Sequence, residues 1–299
     1  MKVLVTGATG LLGSALVAEL GKWHQVLRLT RSTPHSASDL RWNPEAFALE
    51  REPLEGFDAV VHLAGESIGG RRWNAAHKRR VRESRVRGTR LLCETLAALE
   101  RPPRVLISAS GVGWYGDRGE ETLTEESPPG TGFLAGVARE WEAATETAER
   151  RGIRVVRLRL GLVLTARGGA LEPMRRLTSL GLGGPLGSGR QWLSWIAVDD
   201  LLGAVGHALS REPLRGAVNA VAPGAVRQRD FARALARVLE RAAWVPTPAL
   251  ALRLALGREM ADELLLASQR VEPGRLVETG YAFRFPALEH ALRHVLARG

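Results

Sequence analysis

A second cysteine is missing: Cys93 stands alone among 299 residues, which excludes an internal disulfide and any metal cluster built on thiolates. No apolar run approaches the roughly 18 residues that a membrane span needs. MKVLVTGATG leads straight into a strand and a glycine turn, without the h-region and cleavage site of a signal peptide. A reducing cytoplasm is the expected compartment. Lysine is scarce as well. With only Lys2, Lys22 and Lys78 in the chain, the formal charge of +10 is almost wholly arginine. Composition bias explains this more economically than nucleic-acid recognition, and the densest basic run, Arg71 to Arg90, lacks interleaved aromatics. It reads as one helix with a wet basic face, so neither nucleic acid nor a membrane is an expected partner. Internal repeats and low-complexity tracts are absent too, which excludes solenoids and propellers.

What is present has the texture of a globular α/β chain, 45% hydrophobic and 25% charged. Apolar runs recur at Val3-Leu4-Val5, Val26-Leu27, Ala59-Val60-Val61, Val105-Leu106-Ile107, Val155-Val156-Arg157-Leu158 and Ala217 to Val221, separated by helix-length or loop-length spacers. That alternation predicts a doubly wound parallel sheet. Beyond Thr165 the texture changes. Gly181 to Gly189 is too rich in glycine for a regular element, and the helix-rich segment from Gln228 is broken at Pro246 and Pro248. We expect a first domain over 1–225, its stretch near 165–195 reaching into a smaller, mostly helical substrate lobe over 226–299.

Thr6-Gly7-Ala8-Thr9-Gly10-Leu11-Leu12-Gly13 follows a strand and opens a helix, the context in which a GxxGxxG turn holds a diphosphate. Bare backbone at Gly7 and Gly10 admits the ligand, Gly13 lets helix and strand pack closely, and the first helical N–H groups supply donors. A tight turn without a ligand would use the same glycines. The second strand ends without the carboxylate that would bind a ribose 2′-OH, since no acid occurs between Glu19 and Asp39. Arg28, Thr30, Arg31 and Ser32 cluster there instead. Arg31 suits a 2′-phosphate, so NADP is expected rather than NAD. A helix over about 74–99 places Val81, Gly88, Leu92, Leu96 and Leu99 on one stripe, and Arg85 falls on it, whereas Arg79, Arg82, Arg87 and Arg90 point away. A buried arginine needs an anion or an internal acceptor.

With the glycine turn, His62-Leu63-Ala64-Gly65 and Ser108 to Asp117, the chain resembles an extended short-chain dehydrogenase/reductase. The segments Ala64 to Ile68, Arg72-Trp73, Ser84-Arg85, Trp141 to Ala144, Leu182 to Gly189 and Trp195 to Asp200 narrow the resemblance to an atypical branch. That branch is grouped with nucleoside-diphosphate-sugar epimerases in the NAD-dependent epimerase/dehydratase superfamily. It carries a C-terminal domain of unknown function, which the stretch from Pro246 to Pro286 resembles. The resemblance implies a Rossmann sheet with NADP contacts at Gly7, Thr9, Gly10, Leu11, Leu12, Gly13, Thr30, Arg31, Leu63, Ala64, Gly65, Arg85 and Ser108. Gly161, Leu162 and Val163 would flank the nicotinamide. Where the branch commonly has a histidine before Val-Asp, this chain has Ala197.

The Tyr-x-x-x-Lys pair that handles the proton in such enzymes is absent. Gly119 follows Tyr115 by four residues, Phe285 follows Tyr281 by four, and no other tyrosine exists. The polar groups left near the expected nicotinamide are Ser110, Tyr115 and Glu66, with Arg85 a fourth, each able to donate or relay a proton. Structural readings stand beside the first three: a turn hydroxyl, a pocket wall and a helix-cap partner. Arg190, Gln191, Trp192 and Trp195 would suit a planar or anionic molecule, or simply a core. Asp199-Asp200 is expected to cap the Leu201–Leu209 helix. Two activities fit: an NADP-dependent oxidoreductase or epimerase of an unidentified small molecule, and a non-catalytic NADPH-binding sensor. Either fits a monomer or a homodimer.

Overall fold

The computed structural model describes residues 1–166, 168–242 and 245–297. Its centre is one eight-stranded sheet. The strands are β1 (Lys2–Thr6), β2 (Gln25–Thr30), β3 (Asp39–Asn43), β4 (Ala48–Leu49), β5 (Ala59–His62), β6 (Val105–Gly111), β7 (Arg154–Leu160) and β8 (Gly216–Ala220), in the spatial order β8-β7-β6-β5-β1-β2-β3-β4. All neighbours run parallel except β3 and β4. The order reverses at β1, so the crevice beyond the carboxyl ends of β1 and β5 is the place where such sheets bind ligands.

Alternate residues of each strand feed the two faces. Val3, Val5, Val61, Ile107 and Leu158 pack with Leu16 and Leu20 of helix α1 (Leu11–Leu20), while Leu4, Val60, Leu106 and Val155 pack with Leu92 and Leu96 of α2 (Ala75–Ala97). Both faces are covered, which is why these strands read as continuous apolar runs. The side chain of Asn74 caps α2 by accepting from the His77 N–H at 2.8 Å. Further helices are α3 (Phe133–Ala143), α4 (Val198–Ser210), α5 (Gln228–Val238), α6 (Ala249–Leu256) and α7 (Leu288–Ala297). A separate core of Trp195, Phe231, Leu235, Phe285 and Leu292 unites strand Trp195–Ala197 with α5 and α7.

Three expectations need correction. Strands β3 and β4, the last two at one side of the sheet, fall where a loop is expected, because among their residues only Trp42 is buried and no apolar run marks them. Arg28, expected in the cluster where the second strand ends, lies instead within β2 and donates to Asp39 Oδ1 at 2.7 Å across the β2–β3 pair. The Asp199-Asp200 pair makes no side-chain cap on α4, which starts at Val198. Asp200 is wholly buried and instead accepts from the Arg284 and Phe285 N–H groups at 2.7 and 3.0 Å, fastening the C-terminal segment to the first turn of that helix.

Candidate functional site

The glycine turn is built as its spacing demands. Gly7 has φ +67°, a conformation that side chains disfavour, and a Cβ there would lie 2.8 Å from the Ala64 nitrogen. At Gly13 a Cβ would stand 2.0 Å from the Gly7 carbonyl oxygen, so α1 sits directly on the turn. Gly10 precedes α1 without a side-chain cap. Thr9, Gly10 and Leu11 are exposed, Leu12 is half-buried, and the first N–H groups of the helix open onto the crevice.

Behind the turn lies a polar relay that sequence reading did not find. The Ala64 N–H donates to Thr6 Oγ1 at 3.2 Å, Thr6 Oγ1 lies 2.7 Å from His62 Nδ1, and His62 Nε2 lies 2.8 Å from Thr89 Oγ1. The relay locks the end of β5 to the end of β1 and to α2. Burial pulls the His62 imidazole from 6.5 down to about 4, so the folded ring is neutral. The unfolded chain takes up a proton between these values that the fold refuses. The stabilisation is therefore complete above pH 6.5 and falls away toward pH 4, by about 3 kcal/mol in all. Urea unfolding at pH 7 and pH 4.5 should show a shallower acid-side decline for His62→Gln than for the unsubstituted chain. Equal declines would remove His62 from the account.

Arg85 lies on the buried stripe of α2 as expected. Its Nη1 donates to the carbonyls of Glu66 and Val81 at 2.9 and 3.1 Å, and its guanidinium lies over the Trp141 ring at 5.0 Å. The Nε is buried and has no hydrogen-bond partner among the described residues. Burial lowers the guanidinium to about 10, which still leaves it charged at neutral pH. A Cβ on Gly65 would stand 3.1 Å from Cζ of Arg85, so the buried guanidinium packs directly against the bare backbone of this glycine. Leu63 and Ala64 are half-buried beside it, and the Glu66 carboxylate is 3.9 Å from Arg80 Nε. At the end of β2, Thr30 Oγ1 accepts from the Ser32 N–H at 3.2 Å, and Arg31 is exposed with no ion pair among the described residues.

A buried polar network lies at the ends of β6, β7 and β8. Ser110, Arg159 and Asn219 share one register row across the three strands. Ser110 donates to Glu142 Oε1 at 2.7 Å, and Glu142, from α3, grips Arg159 with two bonds of 2.9 Å. Arg159 Nη1 donates to the Tyr115 hydroxyl at 3.0 Å, and that hydroxyl donates toward Asn219 Oδ1 at 2.6 Å and the Thr124 carbonyl at 2.9 Å. Tyr115 has no exposed surface, and burial raises its phenol above the ordinary value, against the lowering by Arg159. The expectation that Tyr115 serves as a proton donor is therefore corrected: its hydroxyl is spent inside the fold. Ser108 is buried, with one long bond to the Ala109 carbonyl at 3.4 Å.

Gly161, Leu162 and Val163 are half-buried beyond β7, held by the Leu162 N–H on the Ser194 carbonyl at 2.8 Å. Trp195 and Gln191 are both core residues, Gln191 Nε2 donating to Leu186 and Leu265 carbonyls at 3.1 and 2.9 Å. Trp192 is flanked by Arg227 and Arg270 at 4.0 and 4.8 Å. Of the four residues proposed to face a ligand there, Arg190 and Trp192 alone keep access to solvent. Sequence reading also missed Glu142 and Arg159, although the alternation Arg157, Leu158, Arg159 turns both arginines toward the face that helices cover and so required partners for them.

A doubly wound sheet with a bare glycine turn at its switch point, opposite a buried cation, defines a dinucleotide-binding α/β protein. Residues 3–220 match the NAD dependent epimerase/dehydratase family and residues 247–295 match a domain of unknown function, DUF1731. The chain belongs to that epimerase/dehydratase family. It is 40% identical over 297 residues to the epimerase family protein Mb2239 of Mycobacterium bovis, covering 99% of this chain and 98% of that one. The crystal structure of human epimerase family protein SDR39U1 (isoform2) with NADPH superposes with a TM-score of 0.91 at 34% identity, covering 100% of both chains. A nucleoside-diphosphate sugar epimerase from Corynebacterium glutamicum gives 0.82 at 38% identity, covering 100% of this chain and 58% of that one. Among the described residues no helix is long and apolar enough to cross a membrane.

Proposed function

We propose that this chain binds NADP(H) across the β1–β5 switch point and exchanges hydride with a small molecule held between the sheet and the lobe over 226–299. The observation that carries the reading is Arg85, a buried cation with an unused donor packed against Gly65, together with a turn whose Gly7 and Gly13 leave no room for side chains. The backbone of Thr9, Gly10, Leu11 and Leu12 would hold the diphosphate, and Thr30 and Arg31 the 2′-phosphate. Leu63, Ala64 and Gly65 would line the near wall, with Ser108 and Gly161 to Val163 beside the nicotinamide. The cofactor, when bound, supplies or accepts the hydride. The chain then has to hold and move one proton. Ser110 is the residue we assign to it, because its hydroxyl, although buried like that of Tyr115, leans on an ionisable group, the Glu142 carboxylate at 2.7 Å, with Glu66 as the second candidate. A second reading, an NADPH-binding sensor without turnover, is favoured by the commitment of Tyr115 and Ser110 to internal partners.

Calorimetric titration with both nucleotides tests cofactor choice. Charge-assisted hydrogen bonds from Arg31 to a 2′-phosphate, about 1.5–3 kcal/mol each, give NADPH an advantage of roughly tenfold to a hundredfold over NADH. Arg31→Ala should erase that advantage and leave NADH nearly unchanged, whereas Arg85→Ala should weaken both nucleotides alike. Equal losses of NADH and NADPH in the Arg31 variant would show that Arg31 does not read the 2′-phosphate. Stopped-flow mixing of the NADPH-bound chain with a panel of carbonyl compounds separates the two activities. Multiple turnovers exclude the sensor, and NADPH left unoxidised by every compound favours it.

A further inference from the structure

Between the bridge that pairs Leu186 with Thr247 and the buried Ser268, the chain runs through α6, a turn over Arg258–Ala261 and a π-helical turn over Asp262–Leu266. Little of this segment is buried. Leu252, Met260 and Ala261 point inward, whereas Leu250 and Leu254 are 67% and 70% exposed.

Its attachment to the rest of the molecule is polar instead. Arg72 Nη2 donates to the Leu254 carbonyl at 3.0 Å, and Lys78 Nζ donates to both oxygens of Glu259 at 2.6 and 2.7 Å. The Glu263 carboxylate receives the N–H groups of Phe133 and Leu134, both at 2.8 Å. Those are the first two N–H groups of α3, which have no acceptor within their own helix. A side chain at position 132 would crowd the carboxylate and push it aside. Gly132 has φ +104°, and a Cβ on it would lie 2.8 Å from Glu263 Oε1. Trp73 packs edge-on against Phe133 at 5.0 Å, and Lys78 lies over the same ring at 4.6 Å, so the anchoring points form one cluster.

The placement of these anchors gives the segment a role. Arg72 lies just before α2 and Lys78 in its first turn, α2 following β5, and Phe133 opens α3, which follows β6. Both stand beyond the carboxyl ends of central strands, where the crevice opens. A segment fixed there by polar contacts, with few apolar ones, opens at a lower cost than the global unfolding of the sheet.

We propose that residues 249–266 are a strap across the mouth of the crevice, clasped by Glu263 on the N terminus of α3 and released when a ligand enters or leaves. The strap makes up the first part of the stretch matched by the domain of unknown function, and through it that part sets the rates of ligand exchange. The proposal rests on the reading that NADPH occupies this crevice.

Two measurements on the full chain separate the strap from that reading. Hydrogen exchange without ligand tests the clasp. In Glu263→Gln, the strap and the amides of Phe133 and Leu134 should exchange about fivefold faster, the loss expected for one helix cap, while the interior of α2 stays protected. Unchanged exchange in the variant overturns the clasp. Displacement of bound NADPH, followed by fluorescence, tests the gate. Association and dissociation should both accelerate in Glu263→Gln and in Lys78→Met, by about threefold or more, with little change in the ratio of the two rates. Rates equal to those of the unsubstituted chain, alongside faster exchange, overturn the gate while leaving the clasp. If the unsubstituted chain binds no NADPH, the cofactor reading fails, and with it the gate, while exchange still decides the clasp. Should Glu263→Gln not fold, Lys78→Met decides by the same two readouts.

Discussion

Replacing Glu142 with alanine is expected to cost the fold about 3–5 kcal/mol, the largest loss we foresee for any single side chain. The pair it forms with Arg159 is almost fully enclosed, with side-chain exposures of 4% for Arg159 and 8% for Glu142. Burial alone would lower the Arg159 guanidinium, yet the hydrogen bonds and charge of Glu142 hold it above its ordinary value. Without Glu142 the cation stays under Trp114, 4.0 Å from the ring centroid, with no carboxylate to face it. Ser110 loses its acceptor at the same time. The double variant Glu142→Leu with Arg159→Met should recover much of the loss, since two apolar groups need no partner. Ser110→Ala removes one hydrogen bond to a charged group and should cost about 1.5–3 kcal/mol at most. Urea unfolding of the four proteins decides this. A double variant no more stable than Glu142→Ala would mean that the pair is not what the alanine removes.

The same network explains which parts of the site were legible in the sequence. Arg85 could be found because α2 has a strong apolar stripe, and one cation on a stripe is conspicuous. Gly7, Gly10 and Gly13 could be found because backbone crowding leaves a spacing that side chains cannot imitate. Glu142 offered no such contrast: it sits in a short helix among Arg139, Glu140 and Trp141, and its partner is brought in from β7 by pairing that only the assembled sheet defines. Tyr115 misled for a related reason. A loop tyrosine after a central strand reads as facing a ligand, yet Gly116, at φ +64°, turns the chain, and the phenol ends between Arg159 and Asn219. Strands β1, β2, β5, β6, β7 and β8 were legible from their apolar runs. β3 was not, because a strand with one buried residue carries no run. The Glu263 clasp was out of reach too, since it joins residues 130 positions apart through backbone N–H groups that any sequence would supply.

Gly13→Ala should lower NADPH affinity at least a hundredfold and also destabilise the chain without ligand, whereas Gly10→Ala should affect binding alone. The difference follows from what each new methyl group meets. At position 13 it would stand 2.0 Å from the Gly7 carbonyl oxygen and 2.7 Å from the Gly7 carbonyl carbon, both backbone atoms that no rotamer change can move aside. The turn or α1 must shift, and overpacking of this kind costs about 1–3 kcal/mol. Gly7 cannot yield in the other direction, because the space beyond it is closed by the backbone of Leu63 and Ala64. Ala64 is in turn held by Thr6 and the buried His62. The shift therefore displaces the N–H groups that would meet the diphosphate. Losing two such bonds, at about 1.5–3 kcal/mol each, accounts for the hundredfold or more. At position 10 the nearest atom is the Gly7 oxygen at 3.2 Å, and φ is −76°, a value that alanine accepts. Its methyl group would project into the crevice and obstruct only the ligand. Thermal unfolding without nucleotide, paired with calorimetric titration, distinguishes the two variants. Equal melting temperatures for Gly13→Ala and the unsubstituted chain would show that the contact between helix and turn can relax, and that Gly13 is not required by packing.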